Sequence, residues 1–370
     1  MNICITRSNK FTYSETFLRN QIKGLSQLAD VYTLYGGWLP EYAENGKLLN
    51  NKIYWLLNKI WKNVFKKNNN YFGNHGIERF LIRNQIEVVL ANYGIGAVKL
   101  LPICKKLGLP LIAHFHGFDA SDKKIVSQYQ RQYQELFDYA TAIVAVSKDM
   151  RQALIALGAP DNKIFVNVYG VNVDLFRVGC PSQHARRFIA VARFAPKKAP
   201  QKTILAFSKV VTQFPDAQLT MVGPQDGLFQ SCCELVQRLE LSDNISFAGP
   251  KSPEEVSELL HQSMAFVQHS IVAPSGDSEG SPNSIIEASS CGLPIISTRH
   301  AGIKDIVVEG KTGFLVEEGD VDGMAESMMK LAANPKLADE MGAAGRKYVE
   351  ENYRLQDRIN RLYQIIQESV

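Results

Sequence analysis

Two glutamates, Glu279 and Glu287, stand eight residues apart in the stretch Ile271–Thr298, IVAPSGDSEGSPNSIIEASSCGLPIIST. Between them Ser281-Pro282 reads as a helix start, a hydroxyl cap followed by proline at the first helical position. The pattern predicts helix from Asn283 to Ser290, ended by Cys291-Gly292. Asp277–Gly280 thus precede a helix tip, where free N–H groups and the positive dipole end favour an anion such as a diphosphate. Glu287 falls about 9 Å behind that tip at 1.5 Å per residue. Two carboxylates at two depths could serve two hydroxyl-bearing parts of one ligand. Taken alone, the spacing favours a solvated surface pair, so its company decides.

That company is cationic. The run RFAPKKAPQKT follows a β-branched segment, with Arg193 at its end and Lys198 five residues on. A unit charge about 4 Å from a departing anion is worth on the order of 4 kcal/mol at an effective dielectric near 20. Charge applied where it develops during bond breaking lowers the barrier directly. A lysine-rich loop by itself is usually only solvated, whereas Arg193 at a strand end is harder to dismiss. A third element is His116-Gly117-Phe118-Asp119 after the run Pro110–Phe115, which sets a histidine where a ligand could be touched. His114, two residues earlier, is assigned to packing.

These residues need a frame that brings strand ends together. Short β-branched runs, each followed by a turn and a helix-period segment, occur at Asn2–Arg7, Ala29–Tyr35, Glu87–Tyr93, Pro110–Phe115, Ala142–Ser147 and Ile164–Val168. A second set occupies Phe188–Arg193, Gln218–Gly223, Asn244–Gly249, Ala265–His269, Pro294–Thr298 and Gly313–Val316. Strand alternating with helix predicts α/β domains, each a doubly wound parallel sheet covered on both faces. Ligands of such sheets sit beyond the carboxyl ends of the strands, where the candidates fall. The expected division is residues 1–177, then 186–350, with the polar stretch Arg177–Arg187 as linker and a C-terminal helix over 351–370. The helical pattern Leu337–Val370 carries Leu355, Ile359, Leu362 and Ile366 on one stripe.

Composition excludes several classes. The chain has 370 residues, and its net charge of 41 − 37 = +4 is too balanced for a protein that coats nucleic acid. Hydrophobic residues at 45% and charged residues at 21% are globular values, not those of a disordered chain. No apolar run reaches the roughly eighteen residues of a membrane span, and the start MNICITRSNK reads as strand, not signal peptide. The six cysteines show no paired spacing, which fits reduced thiols in a cytoplasm and no zinc site.

Taken together, SEGSPNSIIE, the Arg193/Lys198 pair and HGFD resemble the retaining glycosyltransferases of family 4, which have the GT-B fold. Supporting stretches are VSKDM at Val146, GVNVDLF from Gly170, MVGPQDG at Met221 and GKTGFLV at Gly310. SETFLRNQI from Ser14, KKAP and GDSEGSP look like the branch that builds bacterial exopolysaccharide and colanic-acid-like repeat units. The resemblance implies two Rossmann-like domains facing a cleft, with a last helix crossing back to the first. The nucleotide-sugar donor would lie on the second domain. There Arg193 and Lys198 bind its diphosphate, Glu287 its ribose, and Glu279 with Gly280, Ser281, Pro282, Asn283 and Ser284 its sugar and phosphate. Gly223 joins the nucleotide-sugar side, and His116 reaches the donor sugar across the cleft. His116, Glu279, Arg193 and Lys198 form the implied catalytic set, with no metal and no cofactor, and Ser14, Glu15 and Asp119 line the acceptor side.

Three departures stand out: TRSNKFTYSET in place of a Gly-Gly loop after the first strand, Asn172 in GVN, and Ala91-Asn92-Tyr93-Gly94 where histidine is frequent. Asp320–Asp322 has a metal-type spacing but opens a helix, so capping is assigned to it. The acid-free run Lys52–Lys67, KIYWLLNKIWKNVFKK, gathers lysines opposite an aliphatic-aromatic face. That is the pattern of an interfacial helix at an anionic membrane, and equally of a core helix with a basic outer face. The expectation is a cytoplasmic, peripherally attached glycosyltransferase acting on a glycan or lipid-linked acceptor. Two rival readings are a nucleotide-sugar epimerase or hydrolase of similar fold, and a non-catalytic nucleotide-sugar binder.

Overall fold

A computed structural model describes residues 1–10, 15–50 and 71–370, the side chains of 71–73 excepted. Both halves are built on parallel sheets. In the first, β1 (Asn2–Thr6), β2 (Asp30–Tyr35), β3 (Tyr42–Ala43), β4 (Val88–Asn92), β5 (Leu111–His114), β6 (Ala142–Ala145) and β7 (Ile164–Val166) lie in the order β3-β2-β1-β4-β5-β6-β7. Only β3, a two-residue edge strand, is antiparallel. In the second half β8 (Arg187–Val191), β9 (Gln218–Val222), β10 (Ile245–Gly249), β11 (Ala265–Gln268), β12 (Ile295–Thr298) and β13 (Gly313–Val316) take the order β10-β9-β8-β11-β12-β13. These thirteen strands are the twelve runs expected from sequence with β3 added. Its two residues are too few to show a period.

In each sheet the strand order reverses beside its first strand, between β1 and β4 and between β8 and β11. Such switch points open crevices at the carboxyl ends, and the two crevices form opposite walls of one cleft. The inner strands β4, β5, β6, β11 and β12 are buried on both faces, as parallel sheets require. One apolar cluster on the first sheet contains Ile3, Ile5, Val88, Leu90, Ile112 and Val144. It is completed by Ile359, Leu362, Ile365 and Ile366 of the last helix, Leu355–Gln367. That helix therefore returns from the second half to cover the first sheet.

The long C-terminal helical pattern is broken once, at Tyr353, where φ of −132° ends the Pro335–Asn352 helix. Here the chain crosses back beside its outward crossing: Val171 N–H donates to Tyr353 O at 2.9 Å and Leu355 N–H to Val171 O at 3.0 Å. Gly170 is required at this crossing, since a Cβ there would lie 2.5 Å from Leu355 Cα. The stretch Arg177–Arg187, read as linker, instead packs on the second half. Gly179 N–H donates to Cys291 O at 2.8 Å and Ser182 N–H to Asp339 Oδ1 at 2.9 Å.

Candidate active site

Beyond β8 the chain exposes Arg193 and then turns through Pro196–Lys198. The turn sends its two lysines toward the Asp277–Glu279 loop. Lys197 Nζ lies 2.9 Å from Asp277 Oδ1 and donates to Ser278 O at 3.1 Å, while Lys198 Nζ sits 3.0 Å from Glu279 Oε2. Lys198 and Glu279 are 12% and 6% exposed, so each charge depends on the other for solvation. Burial pulls the Lys198 ammonium below its ordinary value, with Glu279 opposing and Lys197 and Arg193 adding to the fall. Burial also pushes Glu279 up, but Lys198 and then Lys197 overcome it and hold the carboxyl below 4.5. Arg193, with no carboxylate partner among the described residues, lends its charge both to Lys198 and, across the cleft, to Tyr93. Arg193, Lys198, Thr203, Met221 and Gln268 help line one pocket.

The acidic loop is fastened from behind. His300 Nε2 accepts from the Glu279 N–H at 3.2 Å and lies 3.0 Å from Ser278 Oγ, while its Nδ1 faces Glu318 Oε1 at 2.5 Å. Across the cleft, Ser278 N–H donates to Ser121 Oγ at 3.1 Å. Glu279 Oε1, Ser281 Oγ and Asn283 Oδ1 are buried without partners among the described residues. The helix spans Asn283–Ser290, as the pattern predicts, but Ser281 is not its cap. Pro282, at φ −74° and ψ 109°, occupies the cap position and no side chain caps the first turn. Ser281 is corrected from cap to free hydroxyl, and the leading N–H groups stay available. Ser284 is half-buried on the first turn. Glu287, half-buried farther along, has its carboxyl pushed up to about 7 by desolvation.

Two glycines mark close approaches. A Cβ on Gly223 would fall 2.0 Å from Ala192 O, where β9 passes β8. A Cβ on Gly280 would fall 2.3 Å from His116 O and 2.8 Å from Val146 Cγ2, so the two halves touch at this residue. Crossed ion pairs flank the contact, Lys148–Asp305 at 3.5 Å and Lys304–Asp149 at 2.7 Å.

On the opposite wall the His116 ring is fully engaged. Its Nε2 lies 2.9 Å from Asn92 Oδ1 and its Nδ1 2.5 Å from the Tyr169 hydroxyl. Burial, with His114 beside it, holds the ring well below its ordinary pKa. It offers the cleft no free nitrogen, and its main-chain oxygen is what abuts Gly280. Asp119 is corrected outright. It is wholly buried and accepts from the N–H groups of Gly94, His116 and Gly117 at 2.9–3.0 Å, which makes it the brace of these turns rather than an acceptor-side residue. Burial pushes its carboxyl up, and those N–H groups only partly offset it. Glu15 accepts from the Tyr93 hydroxyl at 2.7 Å, and Ser14 lies outside the described residues, as does Lys52–Lys67. Asp320 caps its helix, accepting from Gly323 N–H at 2.8 Å, and Asp322 pairs with Lys209.

Two features escaped the sequence reading. Lys197, adjacent to Lys198, is the second clamp on the acidic loop. Trp38, Tyr93 and Phe118 pack together as an aromatic shelf in the first half, with Tyr93 5.3 Å from Trp38 and 5.5 Å from Phe118. KKAP carried a signal for the first, whereas nothing in the separated aromatics pointed to the second.

Residues 14–175 match the family model described as Glycosyltransferase Family 4, and residues 181–348 that of Glycosyl transferases group 1. The colanic acid biosynthesis glycosyltransferase WcaL of Salmonella typhimurium is 30% identical over 66% of this chain and 61% of its own length. The amylovoran biosynthesis glycosyltransferase AmsK of Erwinia amylovora is 28% identical over 65% of this chain and 59% of its own. The matched part of the chain thus spans about three-fifths of these relatives. Among solved structures, Anabaena HepE in complex with UDP and glucose superposes with a TM-score of 0.79, covering 99% of both chains at 15% identity. Sucrose-phosphate synthase from Thermosynechococcus elongatus gives 0.77 at 15% identity, over 100% of this chain and 98% of that one. Both likenesses establish a shared two-domain fold.

Proposed function

The chain belongs to the family 4 and group 1 glycosyltransferases, and from that premise we propose that it moves a sugar from a nucleoside diphosphate sugar to a glycan or lipid-linked acceptor. The observation that carries the reading is that Arg193 and Lys198 line one pocket while Lys198 pairs with Glu279, four residues before the uncapped helix that begins at Asn283. In this proposal they hold the diphosphate and take up the negative charge that grows as the sugar–phosphate bond breaks. The free Glu279 Oε1 and Ser281 Oγ bind sugar hydroxyls, and Glu287 binds the ribose. The aromatic shelf of Trp38, Tyr93 and Phe118 receives the acceptor.

Transfer runs with retention and needs no metal. The acceptor oxygen bonds to the anomeric carbon on the face the phosphate leaves, and a departing phosphate oxygen takes the acceptor proton. Products are the glycoside and the nucleoside diphosphate. Support for a reaction without a protein base comes from the engaged nitrogens of His116 and the lysine-bound state of Glu279. Surface-polysaccharide assembly is the inferred setting, since two relatives are named for colanic acid and amylovoran biosynthesis. Among the described residues no helix is long and apolar enough to cross a membrane. Peripheral attachment through 52–67, whose sequence sets lysines opposite an aliphatic-aromatic face, also forms part of the proposal.

The test is product analysis with labelled donors, chosen by a thermal-shift panel of uridine, guanosine, thymidine and adenosine diphosphates. A bound nucleotide stabilises the native state by mass action, so the correct one raises the melting temperature most. Label in a lipid-linked or glycan product with retained configuration is expected. Label released as free or rearranged sugar, with no acceptor product, would instead identify a hydrolase or epimerase.

A further inference from the structure

A second cavity lies at the crossing between the halves and shares no lining residue with the pocket at Arg193 and Lys198. Its apolar walls include Phe17 of the helix Thr16–Leu25 and Ile359 and Leu362 of the last helix, and its polar lining includes His114, Asn167 and Arg358. None of the lining residues is acidic. His114 Nε2, Asn167 Oδ1 and Arg358 Nε are all buried without a partner among the described residues. Three orphaned polar atoms around one cavity are unusual, because buried polar groups are nearly always hydrogen-bonded.

Hydrogen-bond bookkeeping fixes what His114 offers. The Asn92 amide nitrogen donates to Thr6 O at 3.1 Å and Gln21 Oε1 at 3.0 Å, leaving its oxygen to accept from His116 Nε2. Gln21, accepting through oxygen, donates from its nitrogen to His114 Nδ1 at 3.0 Å. The hydrogen of a neutral His114 ring therefore sits on Nε2, the orphaned atom. Burial holds this ring neutral by moving its pKa down to about 3. His114 thus contributes an N–H donor and Arg358 a guanidinium, and the aliphatic walls supply no competing charge.

We infer that this cavity is a second binding site, taking a compact oxyanion, a phosphate or carboxylate group, at the crossing where the last helix docks on the first sheet. The Arg358 guanidinium and the His114 Nε2–H hold the anion, and Asn167 Oδ1 accepts from a hydroxyl beside it. An occupant bridges the Thr16–Leu25 helix and the helix returning from the second half. It also stands one hydrogen-bond chain away from His116 and the Gly280 contact.

The test uses the full chain carrying Arg193→Ala and Lys198→Ala, so that the cleft does not compete, titrated calorimetrically with inorganic phosphate and separately with acetate. Saturable binding of one equivalent is expected from one or both, and which of them binds identifies the headgroup. In that background Arg358→Gln weakens binding about tenfold or more, as loss of a charge-assisted hydrogen bond should. Arg358→Lys retains most of it, and Arg361→Gln, on the same helix but outside the cavity lining, leaves it unchanged. Circular dichroism of each variant establishes that it is folded. Absence of binding, equal binding by Arg358→Gln, or a crystal soak with ordered water only in the cavity would overturn the inference.

Discussion

The Lys198 ammonium lies 3.0 Å from the Glu279 carboxylate, and the other charges acting on it are the cations Lys197 and Arg193. Each member of the pair keeps its charge through the other, so either loss strands a buried ion. Lys198→Met and Glu279→Gln should each lower kcat/KM about a hundredfold or more. The double variant should fall little below the worse single one, because the two act as a unit. Steady-state kinetics on folded protein checks this, and near-native rates in both single variants would refute the site.

The same pair has a pH signature. Glu279 is held below its ordinary value of 4.5, so its stabilising contribution is present above that value and lost as pH falls through the lower folded one. Urea unfolding between pH 3 and 6 (about the range where carboxylates titrate) should show this loss in the native chain. Glu279→Gln should flatten the curve, and an unchanged slope would contradict the pairing.

At Gly280 the halves meet with no room for a methyl group, the nearest atom being the His116 carbonyl oxygen at 2.3 Å. Backbone on the far side cannot yield as a flexible side chain could. Gly280→Ala should therefore hold the cleft open. Turnover falls by about a hundredfold or more, as misplacement of reacting groups does, while nucleoside diphosphate affinity falls much less. Equal losses in both would mean that the residue serves the nucleotide only.

How much was legible depended on whether the signal was local. The twelve long strands were, because β-branched runs bounded by turns repeat along the chain. So was the order of Arg193, Lys198, Glu279 and Glu287 at strand and helix ends. Asp119 was misplaced because a carboxylate next to His116-Gly117 looks the same in sequence whether it faces solvent or turns back onto three N–H groups. Ser281 was misassigned because Ser-Pro fits two caps one residue apart, and only the backbone angles of Pro282 distinguish them. The shelf of Trp38, Tyr93 and Phe118 was invisible, since its members follow three different strands. The return of the last helix to the first half was implied by the resemblance, but the pairing of Val171 with Tyr353 that seats it, across about half the chain, was not legible.

Glu287 carries a second pH prediction, of opposite sign. Its folded pKa of about 7 lies above 4.5, so ionising it opposes folding, and stability falls as pH rises through that interval. Glu287→Gln should be the more stable protein at pH 8 and similar at pH 5, a contrast on the order of 3 kcal/mol at most. If the carboxylate binds the ribose, nucleotide affinity of the native chain rises through about pH 7 relative to Glu287→Gln. Parallel profiles for the two proteins would remove Glu287 from the site.

The central claim is that one wall of the cleft grips a pyrophosphate through Arg193 and Lys198. Its most direct test compares, by calorimetry, the nucleoside diphosphate with the corresponding nucleoside in the native chain, Arg193→Ala and Lys198→Ala. Diphosphate affinity should drop about tenfold or more in each variant, the loss expected for a charge-assisted contact, with nucleoside affinity unmoved. Diphosphate binding as tight in both variants as in the native chain would contradict the account.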